Sequence, residues 1–460
     1  MIDAGNLHRV IRHLRTPLLD VGDENNTSIS HKGIAVKDHQ LGWFKPGTIK
    51  TVCLPPFDKP TAIGLIWPIL ADGGKIVTSR LAEEVRKELR KTASFDVVSE
   101  PPYTIVRKLS GPPGERQGKQ KQSDNRKRVL ISRYGAYGDH MMTSGLVQHF
   151  HDEGWNITYN CTEKGQEIYK GDPRIDDLMV QESDIIPPND ELRKYWDELS
   201  GDYDKFVNLS EIIEGKLLRM EGRPDFLDPW VKRAAECSGN YLDAHFERAG
   251  IDAKGTLPNI YLSDAEKEWA KREVDHVRKK LGKSHIVLWN VFGSSYHKMY
   301  PWMFDVWYLI DHNRDDIGVL AVSDGLGKFV VGNDFKCVFN AGERYKIRQA
   351  MSLHSVVDSV VTPETWSLIA GLSFPAPVVA LLSHSAKENY TWRDGDVPLR
   401  PKVADCPCYP CHQIHYSRTS CPRGIREAAA TRCMDAIKPL DVYHSILRMQ
   451  SDEHNTLVAS

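Results

Sequence analysis

The sequence predicts an α/β protein: two Rossmann-like, doubly wound halves facing across a cleft, preceded by an N-terminal extension. Three observations predict it. The apolar run Val129-Leu130-Ile131 leads into the glycine-flanked stretch Arg133-Tyr134-Gly135-Ala136-Tyr137-Gly138-Asp139-His140, and a helical stretch follows from Met141. A buried parallel strand, a tight turn and a helix leave this pattern. Strand-like and helical segments then alternate to about residue 255, and the same plan starts again at His285.

A chain of 460 residues is too long for one core. Its hydrophobic and charged fractions, 41% and 27%, are ordinary for a globular protein. The net charge of -2 gives no global attraction to nucleic acid or anionic lipid. The longest apolar stretch, Ala62 to Leu70, is interrupted by Gly64 and Pro68 and is too short to cross a bilayer. The N-terminus has no basic segment joined to an apolar one, so no signal peptide is expected. These features predict a cytoplasmic protein, peripheral to a membrane at most. In that compartment the nine cysteines read as thiols or metal ligands before disulfides.

Four segments are expected. Residues 1–125 form the extension and a basic linker. Within them Ser79 can cap a helix over 79–89, and Phe95–Val98 and Tyr103–Val106 read as short strands. Residues 107–128, with Gly-Pro-Pro-Gly at 111–114 and an excess of Lys and Arg, read as a solvated tether or as a contact to a phosphate backbone. Residues 126–255 form the first half, with strands at Val129–Ser132, Asn156–Asn160, Asp177–Val180 and Lys205–Leu209. The second half, 256–405, opens with a long helix from Asp264 that Ser263 and Glu266 close as a capping box. Its strands are His285–Asn290, Gly318–Val322, Ser355–Val361 and Pro377–Leu382, with Thr362 capping a helix at Pro363. Residues 406–460 hold a cysteine-rich segment and a last helix, Pro439 to Met449.

Candidate chemistry follows from position. Asp139 falls at the carboxyl end of a strand, where open α/β sheets bind ligands, and its carboxylate can take a proton from a substrate hydroxyl. The alternative is an Asp that stabilises its own turn. Gly135 and Gly138 let the backbone come close to a ligand. Gly293-Ser294-Ser295 with Lys298 can form an anion site for a phosphate or diphosphate; otherwise it is a turn with a solvated lysine. The helix start at Thr362–Thr365 is a second anion candidate, or a plain cap. Cys408-x-x-Cys411 with Cys421 and Cys433 has a loose zinc spacing, with Cys406, His412 and His415 nearby. A structural zinc ion, free thiols and a disulfide all remain open for this cluster. His140 and Trp289, Trp302, Trp307 and Trp366 read as core or cleft wall.

The order of these motifs resembles the glycosyltransferases typified by bacterial lipopolysaccharide heptosyltransferases. The matching stretches are Ile131–Thr143, Gly293–Trp302, Ala341–Leu372, Pro377–Leu382 and Cys408–Ile437, spanning roughly 128–450. The resemblance implies the GT-B architecture, a nucleotide-diphosphate sugar as donor bound by the second half, and an acceptor bound by the first. It implies that Asp139 is the base, that Lys298 contacts donor phosphate, and that Glu364 and Thr365 are an acidic-Thr pair near the donor. Glu343 is a weaker donor-side candidate, or a solvated surface acid. It also implies a last helix that returns onto the first half. The family pattern is Asp-Thr-Gly with a His three residues after the Gly; this chain has Glu364-Thr365-Trp366 and then Ile369. Trp366 fills space that Gly leaves open, so either the donor differs from ADP-heptose or the site is degraded.

The expected activity is transfer of a sugar from the nucleotide donor to an acceptor hydroxyl, inverting, with Asp139 as base. No catalytic metal is expected, because lysine and backbone dipoles can neutralise the diphosphate. The acceptor reads as a glycolipid or saccharide, or as a modified nucleic-acid base. A non-catalytic binder of nucleotide sugars is the rival.

Overall fold

In this computed structural model, main chain and side chains are described for residues 125–181, 192–295, 298–323, 335–416, 421 and 431–450. Short strands are described by backbone alone before residue 109 and at 424–425 and 430. The helix expected over 79–89 and most of the linker lie outside the described residues. The chain divides into two compact units, Met1–Gln122 and Ser123–Ser460.

The first unit contains β1 (Leu18–Val21), β2 (Gly33–Val36), β3 (Ile49–Leu54), β4 (Leu70–Thr78), β5 (Phe95–Glu100) and β6 (Tyr103–Lys108). They form one sheet in the order β2-β1-β3-β4-β6-β5. β1 to β4 pair in parallel, whereas β6 runs antiparallel to both β4 and β5. The two strands read near residues 95 and 103 are thus a hairpin.

The second unit holds two parallel sheets. In the front sheet are β7 (Arg128–Ser132), β8 (Asn156–Cys161), β9 (Asp177–Val180) and β10 (Lys205–Asn208), ordered β10-β7-β8-β9. Val129, Leu130 and Ile131 of β7 are fully buried, as a run apolar on both faces requires. The short strand β11 (Arg219–Met220) follows it. The back sheet comprises β12 (His285–Asn290), β13 (Ile317–Val322), β14 (Val338–Gly342), β15 (Ser359–Pro363), β16 (Val378–Leu381) and β17 (Val397–Leu399). Its order, β14-β13-β12-β15-β16-β17, is the doubly wound 3-2-1-4-5-6. β12 alternates between two cores. Ile286 and Leu288 pack with Val274 and Val277 of the helix Asp264–Leu281. Val287 and Trp289 pack with Trp307 and Ile310 of the helix Met303–Asn313. Ser263 and Glu266 make the expected capping box, and Gly282 ends that long helix in a left-handed conformation at φ 66°.

Two local expectations are corrected. Thr362 and Pro363 do not open a helix. They pair with Ala380 and Leu381 of β16, so the chain stays extended to Pro363. The next helix, Trp366–Ser373, is capped by Thr365. The last helix, Pro439–Arg448, does not return to the front half. Its apolar residues Val442 and Ile446 are buried against Trp307 and Ile310 on the back sheet. The return is made instead by β18 (Gln413–Ile414), which pairs in parallel with β11. Among the described residues no helix is long and apolar enough to cross a membrane.

Candidate functional site

The two sheets of the second unit face each other across a cleft of about 850 Å³. Each sheet has one point where strand order reverses: between β7 and β10 in front, between β12 and β15 behind. Loops leaving the carboxyl ends of strands at such a point bind ligands in open α/β folds. The turn after β7, the stretch after β10, the turn after β12 and the end of β15 all line this cleft.

At the front, Gly135 has φ 150° and a Cβ there would stand 2.5 Å from Asp139 Oδ2, so only glycine fits. Asp139 lies in the first turn of the helix Tyr137–Met142. Its Oδ2 accepts the Ala136 N–H at 2.7 Å, the turn-stabilising bond anticipated for such an Asp. Its Oδ1 pairs with Arg133 Nη2 at 2.8 Å, and the side chain is 17% exposed on the cleft. Arg133 itself is fully buried. The same guanidinium reaches Glu214 at 3.0 Å and the Leu209 carbonyl at 3.0 Å. Burial pushes the Glu214 carboxyl up, and Asp139 adds to that, against the pull of Arg133. Gly138 lines the cleft where the front helix meets Trp366; a Cβ would stand 3.6 Å from Trp366 Cα, ordinary contact. His140 points inward to the Tyr159 hydroxyl at 2.9 Å, and burial lowers its pKa to about 4.

At the back, a Cβ on Gly293 would come within 2.7 Å of Thr365 Cγ2 and 3.0 Å of Lys298 Cδ. That glycine lets the turn, the lysine and the helix cap converge. Ser294 lines the cleft, whereas Ser295 is buried and its hydroxyl donates to the His415 carbonyl. Lys298 lines the cleft yet is only 8% exposed. Burial pushes its ammonium pKa down, while the nearby charges of Glu364 and Asp139 hold it up. Among the described residues that ammonium makes no ion pair and no hydrogen bond. Thr365 Oγ1 is engaged within the protein, accepting from Asn290 Nδ2 at 2.8 Å and the Ser367 N–H at 3.2 Å. Glu343 is exposed at the cleft rim.

Glu364 lines the cleft but both carboxylate oxygens are occupied. It accepts the N–H groups of Ser383, His384 and Ser385 at 2.6, 3.0 and 3.1 Å, the Ser383 hydroxyl at 2.7 Å, and lies 2.9 Å from His384 Nδ1. Burial alone would raise this carboxyl; His384 and the loop donors outweigh it and hold it well below the usual carboxylate range. Arg133, Glu214 and the 383–385 loop were not read from the sequence. For Arg133 a signal existed, since a charged residue directly continuing a buried strand needs partners. Glu214 and the loop carried none.

Cys406, Cys408, Cys411, Cys421 and Cys433 line one cavity of about 120 Å³, together with His384 and His415. All five are thiols. Cys406 Sγ and Cys408 Sγ are 3.6 Å apart. Burial pushes the Cys411 thiol up to about 12, and neighbouring thiols add to it. Among the described residues no three His, Cys, Asp or Glu side chains are arranged to hold a metal ion. His384 lines both this cavity and the cleft.

Comparison of the sequence with protein-family models and with curated proteins gives no match. Comparison of the backbone with solved structures does. A glycosyl transferase family 9 protein of Veillonella parvula is 13% identical, with a TM-score of 0.46, over 70% of this chain and 97% of that one. The Escherichia coli ADP-heptose lipopolysaccharide heptosyltransferase II is 13% identical, with a TM-score of 0.45, over 71% and 99%. The iron-containing dodecameric glycosyltransferase TibC of enterotoxigenic E. coli is 12% identical, with a TM-score of 0.45, over 73% and 78%. These are glycosyltransferases and heptosyltransferases, the kind of protein that the sequence motifs resemble.

Proposed function

We propose that this protein is a glycosyltransferase that moves a sugar from a nucleotide-diphosphate donor to an acceptor hydroxyl, with inversion. The observation that carries the reading is Lys298: an ammonium buried in the cleft wall, unpartnered among the described residues, beside the Gly293-Ser294 turn at the reversal point of a Rossmann sheet. A buried cation without a partner is costly, and a diphosphate oxygen would supply one. Asp139 faces the same cleft from the front sheet. In the transfer, Asp139 takes the acceptor's hydroxyl proton, the acceptor oxygen bonds to the anomeric carbon, and the bond to the diphosphate breaks with its electrons on phosphate. Lys298 and the Ser294 amide stabilise that charge as it develops. Trp366 and Ile369 set the sugar or base that fits.

On the acceptor side three acids, Asp139, Glu211 and Glu214, face two cations, Lys164 and Arg223, and Arg223 is already paired to Glu211. This favours a hydroxylated saccharide over a polyanion such as nucleic acid. ADP-heptose, UDP-glucose and GDP-mannose are the test panel. One member is expected to raise the melting temperature, and to release nucleoside diphosphate on addition of a saccharide acceptor. Stabilisation without release by any acceptor would leave a nucleotide-sugar binder; neither effect would overturn the reading.

The thiol cavity supports a separate structural proposal, a metal ion held by Cys408, Cys411, Cys421 and Cys433. Five thiols lining one cavity give such an ion its sulfur ligands. Their present arrangement is not a formed ligand set, so loading must draw them together. Purified protein is expected to carry about one zinc or iron per chain by elemental analysis, lost in Cys408→Ser/Cys411→Ser. Metal-free protein with full stability would end this proposal.

A further inference from the structure

We infer that Glu214 is a positioning residue for the transfer: it shares the Arg133 guanidinium with Asp139, so that Asp139 is not the sole partner of that cation and stays able to accept a proton. This rests on Asp139 being the base.

Two carboxylates share one buried guanidinium. Arg133 Nη2 is 2.8 Å from Asp139 Oδ1 and 3.0 Å from Glu214 Oε1, and Nη1 is 3.3 Å from Glu214 Oε2. Glu214 therefore takes the fork of the guanidinium, and Asp139 takes a single contact. Nη1 is further tied to the Leu209 carbonyl, and Nε has no partner among the described residues. The cation already meets Asp139 through Nη2 and cannot turn a second N–H to it without breaking the Glu214 fork. The two acids follow the two strands that flank the reversal point of the front sheet, Asp139 in the first turn of the helix after β7 and Glu214 in the stretch after β10. Both carboxylates look into the cleft, 17% and 16% exposed.

With both acids ionised the cluster carries one more negative than positive charge. A base fully neutralised by a buried arginine would be a poor proton acceptor. The Glu214 carboxylate supplies the second negative charge at pH values above its own titration, which burial and Asp139 push up against the pull of Arg133. Other groups face the pair. His140 and His245 are buried, and burial lowers both to about 4, so they add no charge at neutral pH. Lys298 faces Asp139 from the back sheet, Arg223 faces Glu214, and Tyr416 faces both acids. Lys298 and Lys164 line the same cleft as Asp139, and in the proposed loaded site the Lys298 charge is directed to the diphosphate.

Glu214→Gln removes the charge while keeping the shape. Arg133 then has Asp139 as its one remaining carboxylate partner, and an opposite charge favours the ionised form of a base. The measurement is the pH profile of kcat/KM for nucleoside-diphosphate release, using whichever of ADP-heptose, UDP-glucose and GDP-mannose the protein turns over. The acid limb is expected to move down by about one pH unit, with a plateau about three- to tenfold lower and an unchanged KM for the donor. Glu214→Asp keeps the charge, and its limb is expected to stay in place even where its rate falls. A role in packing alone would lower the rate of both variants and move neither limb, and that result would overturn the inference. If Asp139→Asn is inactive while the Glu214→Gln limb stays put, the inference fails and the base assignment stands. If Asp139→Asn retains full turnover, both fail. If Glu214→Gln does not fold, the limb of Glu214→Asp decides: a downward move overturns the inference.

Discussion

Asp139→Asn is expected to lower nucleoside-diphosphate release by about two to four orders of magnitude, the range of a positioned general base, while the donor still raises the melting temperature. The local geometry makes the variant informative. Asn keeps an oxygen where Asp139 Oδ2 accepts the Ala136 N–H at 2.7 Å, so the glycine turn is preserved. It loses the negative charge that Arg133 meets at 2.8 Å, and it loses the ability to take a proton. Arg133 remains satisfied by Glu214 and the Leu209 carbonyl, so the substitution strands no buried cation. The proposed donor contacts, Lys298 and the Gly293-Ser294 turn, lie on the opposite wall, so donor binding should be untouched. If Asp139 only stabilised its turn, Asn would serve as well, and turnover close to the native rate would show this. Melting shift with donor and single-turnover release separate the two roles.

The doubly wound plan was legible because parallel strands buried on both faces leave continuous apolar runs, and Val129-Leu130-Ile131 and His285 to Asn290 are such runs. The capping box at Ser263 and Glu266 was legible because both partners lie within one turn. The residues proposed for the cleft were legible singly, each beside a glycine turn or at a helix start. What joins them was not. Glu214 meets Arg133 across 81 residues, and Ser383 reaches Glu364 across 19, with no local pattern to announce either contact. The helix start after β15 was misplaced because Pro363 suits a first helical turn as well as the last residue of a strand. The register with β16 decides between these, and register is a tertiary property. The first unit resisted reading because its strands are short and set among prolines and glycines. The last helix was misplaced for a different reason: its position came from the resemblance, whereas its own apolar stripe, Val442 and Ile446, finds its partners at Trp307 and Ile310.

The Glu364 side chain is fully buried, and Glu364→Gln is expected to destabilise the second unit by about 3–5 kcal/mol at neutral pH, the cost of breaking a buried charged network from one side. Three backbone N–H groups, a hydroxyl and the His384 ring converge on the carboxylate. A glutamine offers one oxygen and turns an NH₂ group toward the remaining donors, leaving them unpaired. The pH dependence separates this from a packing effect. The native carboxyl is held far below its ordinary value of 4.5 by His384 and the loop donors, against the opposing effect of burial. A carboxyl with a depressed native pKa stabilises the fold above its unfolded value and loses that contribution as pH falls through its native value. The gap in unfolding free energy between native protein and variant should therefore be full at about pH 7 and narrower at about pH 3. Urea titrations at the two pH values measure it. A gap of equal size at both would mean that shape, not charge, is what Glu364 contributes. The cleft should feel the loss as well. The 383–385 loop carries His384 into the cleft wall, and Lys298 would lose one of the two negative charges that favour its ionised form. The variant is thus expected to bind the donor more weakly even where it remains folded, a result that would make Glu364 a strut beneath the phosphate site and not a group that touches the sugar.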